Sequence, residues 1–131
     1  MSHAVRPNPV TGCPLTAALT VVGGKWKLIV VYWLAESPRH FAALRRVMDG
    51  VSPKVLTEQL RELIADGIVK RERTGAIPSP VIYSLTEYGS SLLPLLELVR
   101  QWGHTHLARL REDQPKASSD SQLRESYRSW S

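Results

Sequence analysis

Residues 52–74 read SPKVLTEQLRELIADGIVKRERT and combine a strong helix pattern with a basic strand directly after it. Ser52 is a favourable N-cap, Pro53 suits the first helical position, and Gly67 suits the position just past the last turn. Between them, apolar side chains recur at helical spacing and form one stripe: Leu56, Leu60, Leu63 and Ile64. The sequence therefore predicts an amphipathic helix that ends at Gly67.

The opposite face of this predicted helix carries Lys54, Thr57, Glu58 and Arg61 at i, i+3, i+4 and i+7. Such side chains can bind base edges or phosphates, and the N–H groups at a helix N-terminus favour an anion. An ordinary solvated face carries the same kind of charges and is the commoner case. The stripe by itself leaves both interpretations open.

Two strands, 68–74 and 81–86, are predicted after Gly67, with a turn rich in proline and glycine between them. Because Pro78 and Pro80 cannot donate to a central ladder, we expect an edge ribbon that projects. Its first strand carries three basic residues, Lys70, Arg71 and Arg73. A solvated edge guarded by charges would look similar. A basic wing directly after such a helix is nevertheless the layout of a winged helix-turn-helix, so the order favours nucleic-acid binding.

Four further helices complete the predicted fold. Three precede Ser52, over 14–21, about 25–37 and roughly 40–48, and the last begins at Thr86-Glu87. Pro94 either kinks the last helix or marks its true start. The predicted fold class is mainly α with a small β-hairpin, arranged as a winged helix-turn-helix with a long C-terminal dimerisation helix.

Length, charge and cysteine content limit the function classes. The chain has 131 residues, a net charge of +5 and one cysteine, which excludes a disulfide framework and a zinc site built from several thiolates. No apolar run approaches the about 18 residues that span a bilayer, and the N-terminus lacks the apolar middle of a signal peptide, so we expect a cytoplasmic protein. We expect a flexible arm over 1–12, a DNA-binding domain over 13–112 and a disordered tail over 113–131. The tail is charge-balanced, so the positive charge belongs to the folded part.

Several motifs resemble the HxlR family of bacterial winged-helix transcriptional regulators. The clearest are Cys13-Pro14, GKW at 24–26, SPKVLT at 52–57, YSLT at 83–86 and Trp102-Gly103. The resemblance implies a cytoplasmic homodimer that binds double-stranded operator DNA and represses or activates nearby genes, with the first and last helices forming the dimer. The chain departs from the family at the wing tip, where Ser79 separates two prolines and Ile82 stands in place of an acid.

The stripe and the resemblance together give the predicted DNA contacts. Thr57 and Arg61, with Lys54 close by, are expected at base edges, and Ser52 at a phosphate. Four further basic side chains are expected at phosphates or in the minor groove, namely Lys25, Arg39, Arg71 and Arg73. The full predicted set is Lys25, Arg39, Ser52, Pro53, Lys54, Thr57, Arg61, Arg71, Arg73 and Ile77.

Apolar side chains on the first and last helices are predicted to form the dimer interface, although part of the last stripe must serve the chain's own core. The predicted interface residues are Leu15, Leu19, Leu92, Leu95, Leu96, Val99 and Trp102.

Cys13 supports two interpretations. A single cysteine in such a protein is usually an unreactive small apolar residue. Its place before Pro14, however, puts the sulfur at a helix N-terminus, which favours the thiolate, and in several proteins that resemble this one the equivalent cysteine senses oxidants or electrophiles. With no second cysteine, modification would give a sulfenic acid, a mixed disulfide, an alkylated thiol or a Cys13–Cys13′ bridge across a dimer.

Other functions stay open on the sequence. A winged-helix module that binds proteins is one, and a regulator controlled by a small ligand at the dimer interface, among Trp26, Trp33 and Trp102, is another. A cysteine-dependent enzyme would need a base near Cys13, for which His40 is the nearby candidate. No catalytic set or phosphate-binding glycine loop is visible and the histidines do not cluster, so we expect no enzyme, no cofactor and no metal.

Overall fold

The structure, a computed structural model, describes residues 12–75 and 80–113. Its elements follow the predicted order, with one additional strand and one additional short helix. They are α1 (Pro14–Val22), α2 (Lys27–Glu36), β1 (Arg39–His40), α3 (Phe41–Val47), α4 (Pro53–Ala65), β2 (Val69–Arg73), β3 (Val81–Leu85), α5 (Glu87–Ser90) and α6 (Leu93–Glu112). The fold is a winged helix-turn-helix, as predicted. The predicted arm and tail lie outside the described residues, apart from Gly12 and Asp113.

Contacts divide the chain into two compact units, and the first ends at Leu96. The hydrophobic core lies in this first unit. Each fully buried leucine there contributes about 1.5–3 kcal/mol relative to an exposed one. The largest fully buried side chains are Leu44, Met48, Leu56, Leu63, Ile68, Val30, Val31 and Val69. The second unit contains the part of α6 from Glu97 onward.

The ends of α4 confirm the predicted caps. Ser52 has extended backbone angles, and its Oγ accepts a hydrogen bond from the Val55 N–H at 3.1 Å. At the other end Gly67 has φ +77°, a left-handed conformation that favours glycine. The Ile68 N–H donates to the Leu63 carbonyl at 2.9 Å and thereby closes the last turn. Both boundaries of α4 are thus set by short-range hydrogen bonds.

The strands form a three-stranded antiparallel sheet in the order β1-β3-β2. Within the predicted edge ribbon, β2 does lie at an edge, but β3 is the central strand, so the prediction is wrong for β3. The register pairs Tyr83 with Arg39 on one side and with Arg71 on the other. Pro80 lies just before β3 and therefore does not interrupt the ladder of the described strands. A two-residue strand such as β1 has no alternation to detect, which is why the sequence did not predict it.

The predicted last helix is divided in two. Thr86 begins a helix, but this is the short α5, and α6 begins at Leu93 with Pro94 as its second residue. Pro94 therefore marks the true start of the long helix, where its missing N–H has no cost.

A tight joint connects the end of α4 to α5. The Thr86 hydroxyl donates to the Gly67 carbonyl in a short hydrogen bond, and its oxygen accepts from the Gly89 N–H at 2.9 Å. Gly89 lies so close to the Ile68 backbone that a Cβ added there would be 2.1 Å from the Ile68 carbonyl oxygen. These contacts fix the positions of Gly67 and Ile68, which connect α4 to β2.

Along the described ranges, no single helix has both the length and the apolar character needed to cross a membrane. The pair α1 and α2, bent by 71° at the break between them, reaches that length and composition when the two are taken together.

Candidate nucleic-acid interface

The polar face of α4 is exposed, as the stripe predicted. Lys54, Thr57, Glu58 and Arg61 are all exposed, while the leucines of the opposite face are buried. The Thr57 hydroxyl donates to the Pro53 carbonyl at 2.8 Å, so its oxygen is left to act as an acceptor toward a ligand. The accessible side chains of α4 thus offer cationic donors and hydroxyl acceptors on one side.

Strand β2, the first strand of the wing, lies beside the polar face of α4. A hollow of about 340 Å³ lies between α4 and the sheet. Strand alternation places Val69, Arg71 and Arg73 on one side of β2, and Val69 is buried, so this side faces the helical body. Arg71 therefore stands beside α4, although it comes from another element. The hollow is lined by Thr57, Leu60, Arg61, Ile64, Arg71 and Tyr83.

The other side of β2 is less basic than its sequence indicates. Lys70 Nζ lies 3.4 Å from Glu72 Oε1, and both side chains are about half exposed. Glu72 therefore offsets the charge of Lys70, and the positive charge of β2 comes mainly from the exposed Arg71 and Arg73. Ile77 at the wing tip lies outside the described residues.

A second hollow, of about 660 Å³, opens at the N-terminus of α4. Its lining includes Arg45 and Arg46 from the last turn of α3, together with Asp49, Ser52 and Pro53. Arg45 Nε donates to the Val51 carbonyl at 3.4 Å, whereas Arg46 is exposed on the same rim. The sequence had placed both arginines on the polar face of the third helix without assigning them to the interface. The sequence signal for them is a pair of adjacent arginines shortly before the N-cap Ser52.

Arg39 does not line the hollow between α4 and the sheet, and its role as a DNA contact stays a prediction. Its side chain is 15% exposed, and its guanidinium donates to Glu36 Oε1 at 2.9 Å and to the Trp33 carbonyl at 3.2 Å. The same group lies over the Trp33 ring, 5.6 Å from its centroid. These contacts satisfy the cation within the chain. Lys25, by contrast, is exposed, with its Nζ 4.6 Å from the centroid of the Trp26 ring.

Cys13 caps α1, as predicted. Its Sγ accepts from the Thr16 N–H at 3.4 Å and lies 3.2 Å from Thr16 Oγ1. The hydroxyl of Thr16, followed by its backbone N–H, lowers the pKa of the Cys13 thiol below its ordinary value. The sulfur is exposed, so it combines accessibility with a stabilised thiolate.

The predicted dimer residues divide into two groups. Leu15 and Leu19 on α1 are exposed, as are three residues of α6: Leu95, Val99 and Trp102. Leu98 on α6 is also exposed, although the prediction omitted it.

Leu96 is buried in the core, and Leu92 is half-buried against it. These two leucines pack in the core of the chain itself, as expected for part of the stripe, and their place at a dimer interface stays a prediction. The sequence could not separate the two groups, because both lie on one continuous apolar pattern.

The residues considered for a metal site, a catalytic base and a small-ligand site have the following surroundings among the described residues. In the two described ranges, no three His, Cys, Asp or Glu side chains come together as metal ligands. His40 Nδ1 is bonded to the Val81 carbonyl, at 2.8 Å. Trp26 and Trp33, predicted beside a ligand, are half-buried against the core. A small apolar hollow of about 320 Å³ lies between α1 and α5, and its polar lining consists of Tyr88 and Ser91.

Comparisons with known proteins agree with this geometry. The model of the HxlR-like helix-turn-helix family matches residues 21–111, which include α4 and both wing strands. The HTH-type transcriptional regulator YybR of Bacillus subtilis is 42% identical over 102 residues, which cover 78% of this chain and 81% of YybR. The structure of the redox regulator HypR in its reduced form has a TM-score of 0.71 at 40% identity, over 76% of this chain and 99% of HypR. The reduced form of the transcriptional regulator YodB from B. subtilis has a TM-score of 0.62 at 30% identity, over 70% of this chain and 91% of YodB.

Proposed function

This chain belongs to the HxlR family of helix-turn-helix transcriptional regulators, and we propose that it is a cytoplasmic homodimer that binds operator DNA sequence-specifically and responds to oxidants through Cys13. Regulators of this family bind DNA and are typically dimers. The observation that carries the proposal is the shared hollow of α4 and β2, because it brings Thr57, Arg61 and Arg71 to one exposed surface.

Within this surface, we assign base contacts to some residues and backbone contacts to others. Arg61 and Thr57, on the exposed face of α4, reach base edges in the major groove, where an arginine binds guanine in bidentate fashion. Lys54 and Ser52 lie at the N-terminal end of α4, which enters the groove first in a helix-turn-helix. Arg71 and Arg73 bind the backbone or the minor groove and contribute affinity for any sequence.

Arg46 extends the proposed surface beyond the residues found in the sequence. It lies on the rim of the hollow at the N-terminus of α4, where backbone N–H groups and the helix dipole favour a phosphate. The first helix of a helix-turn-helix crosses the DNA backbone, which is the position α3 would have. Arg46 is therefore proposed as a phosphate contact.

Selection from random-sequence DNA tests the proposed function. The wild-type protein is expected to enrich a two-fold symmetric site whose half-sites lie about one helical turn apart, or a multiple of it. Bound pools with no common sequence would contradict sequence-specific binding. Retention on random DNA that does not weaken as salt rises would contradict the role of the basic residues.

The proposed dimer rests on exposed apolar side chains. The exposed residues Leu95, Leu98, Val99 and Trp102 recur at i, i+3, i+4 and i+7 on α6 and so form one stripe. Leu15 and Leu19 form a second exposed pair on α1. Contiguous exposed apolar surface is typical of interfaces, and an isologous contact matches a two-fold operator.

The redox part rests on the cap of α1. HypR is a redox regulator, and YodB has been observed after diamide treatment. Cys13 is exposed and its pKa is lowered, so its thiolate is available to attack an electrophilic oxidant such as diamide. When a Cys13–Cys13′ bridge forms, the two thiols together lose two electrons and two protons. Diamide accepts all of them, and its N=N bond is reduced to the hydrazine.

Replacing Thr16 by Val tests the origin of this reactivity. The change removes the hydroxyl that lowers the Cys13 pKa most, so the pH at which alkylation by iodoacetamide reaches half its maximal rate is expected to rise. Thr20→Val, one turn further along α1, is the matched control and is expected to leave that midpoint unchanged. A Thr16→Val midpoint equal to that of the wild type would contradict the assigned cause. Unchanged operator affinity after full diamide oxidation would contradict redox control.

A further inference from the structure

Lys27 is a buried charge that none of the roles above uses. It is the first residue of α2, its side chain is 6% exposed, and its Nζ lies 2.5 Å from Glu62 Oε1 on α4. The Glu62 side chain is 40% exposed. Burying a cation is costly unless it is paired, so the contact with Glu62 is what allows Lys27 to stay inside.

Neither charge suits its own helix. Lys27 lies in the first turn of α2, where the helix dipole disfavours a cation, and Glu62 lies in the last turn of α4, where the dipole disfavours an anion. Local helix stability therefore does not explain either residue. The explanation lies in the contact between α2 and α4.

The place of Glu62 on α4 gives this contact a specific consequence. Helical spacing puts Glu62 on a flank, about 100° around the axis from Arg61. The apolar stripe of Leu56, Leu60 and Leu63 holds α4 against the core, and the hydrophobic attraction itself is non-directional. The ion pair on the flank adds a directional contact, which opposes rotation of α4 about its axis.

The exposed face of α4 is sensitive to that rotation. Side chains extend about 5–6 Å from a helix axis, so a rotation of about 20° moves their tips by about 2 Å. Recognition requires placement within about 0.5 Å and 10–20°. Arg61 follows any rotation of α4, whereas Arg71 belongs to the sheet and does not.

We propose that Lys27 and Glu62 are a positioning pair, which sets the rotation of α4 so that Arg61 reaches base edges while Arg71 contacts the backbone. The inference rests on the proposed function of α4 as the recognition helix. Lys27 is buried and so does not itself bind a phosphate. Its contribution is to selectivity rather than to general DNA affinity.

The variant Lys27→Met tests the pair. Methionine keeps much of the side-chain length without the charge, and Glu62 is exposed enough to stay hydrated, so the unfolding temperature is expected to be retained. The ratio of affinities for the wild-type selected sequence and for random DNA is expected to fall at least about tenfold. The salt dependence of random-DNA binding is expected to stay the same, because no phosphate contact is lost.

Lys25→Met is the matched control, since it removes an exposed lysine two residues earlier. It is expected to weaken binding to both DNAs alike and to leave their ratio unchanged. The double variant Lys27→Glu/Glu62→Lys restores an ion pair and puts each charge at the favourable end of its helix. Its selectivity is expected to return to within about threefold of the wild type.

Three results would overturn the positioning pair. They are a Lys27→Met protein that keeps its selectivity, one that loses affinity for both DNAs in equal proportion, and a folded double variant that stays unselective. If Lys27→Met does not fold, the double variant decides alone. A wild-type protein that selects no sequence contradicts the proposed function itself and is thereby distinguished from failure of the pair.

Discussion

The helices α4 and α6 are both amphipathic, but they expose opposite chemistry. On α4 the three leucines of the apolar stripe are buried in the core, and the exposed face carries Lys54, Thr57 and Arg61. On α6 a second apolar stripe remains exposed, and Trp102 on it is 68% accessible. A polar, cationic face suits a polyanion, whereas an apolar face suits another protein surface. The difference supports the proposal that α4 contacts DNA and that α6 contacts a second copy of the chain.

The largest effect is expected from a charge placed in the apolar stripe of α6. Trp102→Arg should convert the dimer to a monomer, because an arginine buried there would lack a partner. Operator affinity should then fall about 100-fold or more, since the second half-site no longer adds to binding. Light scattering and operator titration measure the two effects.

His104→Arg is the matched control for this change. Two residues along a helix correspond to about 200° of rotation, so His104 points away from the stripe. This variant adds the same charge and should remain dimeric. A Trp102→Arg protein that stays dimeric would contradict the role assigned to α6.

The joint between α4 and α5 should give the next largest effect. In Gly89→Ala the new methyl group would meet the Ile68 carbonyl, so the free energy of unfolding in urea should fall by about 2–3 kcal/mol. Gly103→Ala, where nothing lies within 4 Å of the added Cβ, should instead raise it by about 0.5–1 kcal/mol at the same protein concentration. Equal effects of the two changes would show that the close approach at Gly89 has no energetic weight.

Arg61→Ala should sharpen the assignment of α4. The variant should lose about 1–3 kcal/mol of discrimination between the selected sequence and random DNA. Arg109→Ala removes the same charge from an exposed position on α6 and should leave discrimination intact. Competition binding against random DNA measures both. An equal loss on the two DNAs would make Arg61 a backbone contact.

The smallest effect concerns the wing. Arg71→Ala should reduce the slope of log affinity against log salt by about one, as expected when one phosphate contact is lost. Arg39→Ala should leave the slope unchanged, because its guanidinium is engaged with Trp33 and Glu36. A slope that changes for Arg39 and not for Arg71 would reverse the two assignments.

Features fixed by neighbouring residues could be predicted from the sequence. The caps at Ser52 and Gly67 and the stripes of α4 depend on contacts a few residues away, so residue type and spacing identify them. The start of α6 at Pro94 was one of two predicted outcomes for the same reason. The exposed α4 face followed directly from the buried one.

Features fixed by distant partners could not be predicted. Lys27 looks like one of two similar lysines beside Trp26, and only the approach of α4 makes it a buried cation. In the sequence Arg39 resembles an ordinary surface arginine, whereas in the structure its guanidinium is bonded to Glu36 and to the Trp33 carbonyl. The core role of Leu96 depends in the same way on tertiary packing.

Covalent labelling of arginine and lysine side chains, read by mass spectrometry with and without the selected DNA, tests the assignment of DNA to α4 and the wing most directly. DNA should protect Lys54, Arg61 and Arg71 and leave Arg109 and Arg111 on α6 as reactive as in the free protein. Protection of the α6 arginines with unchanged labelling of Lys54 and Arg61 would contradict it.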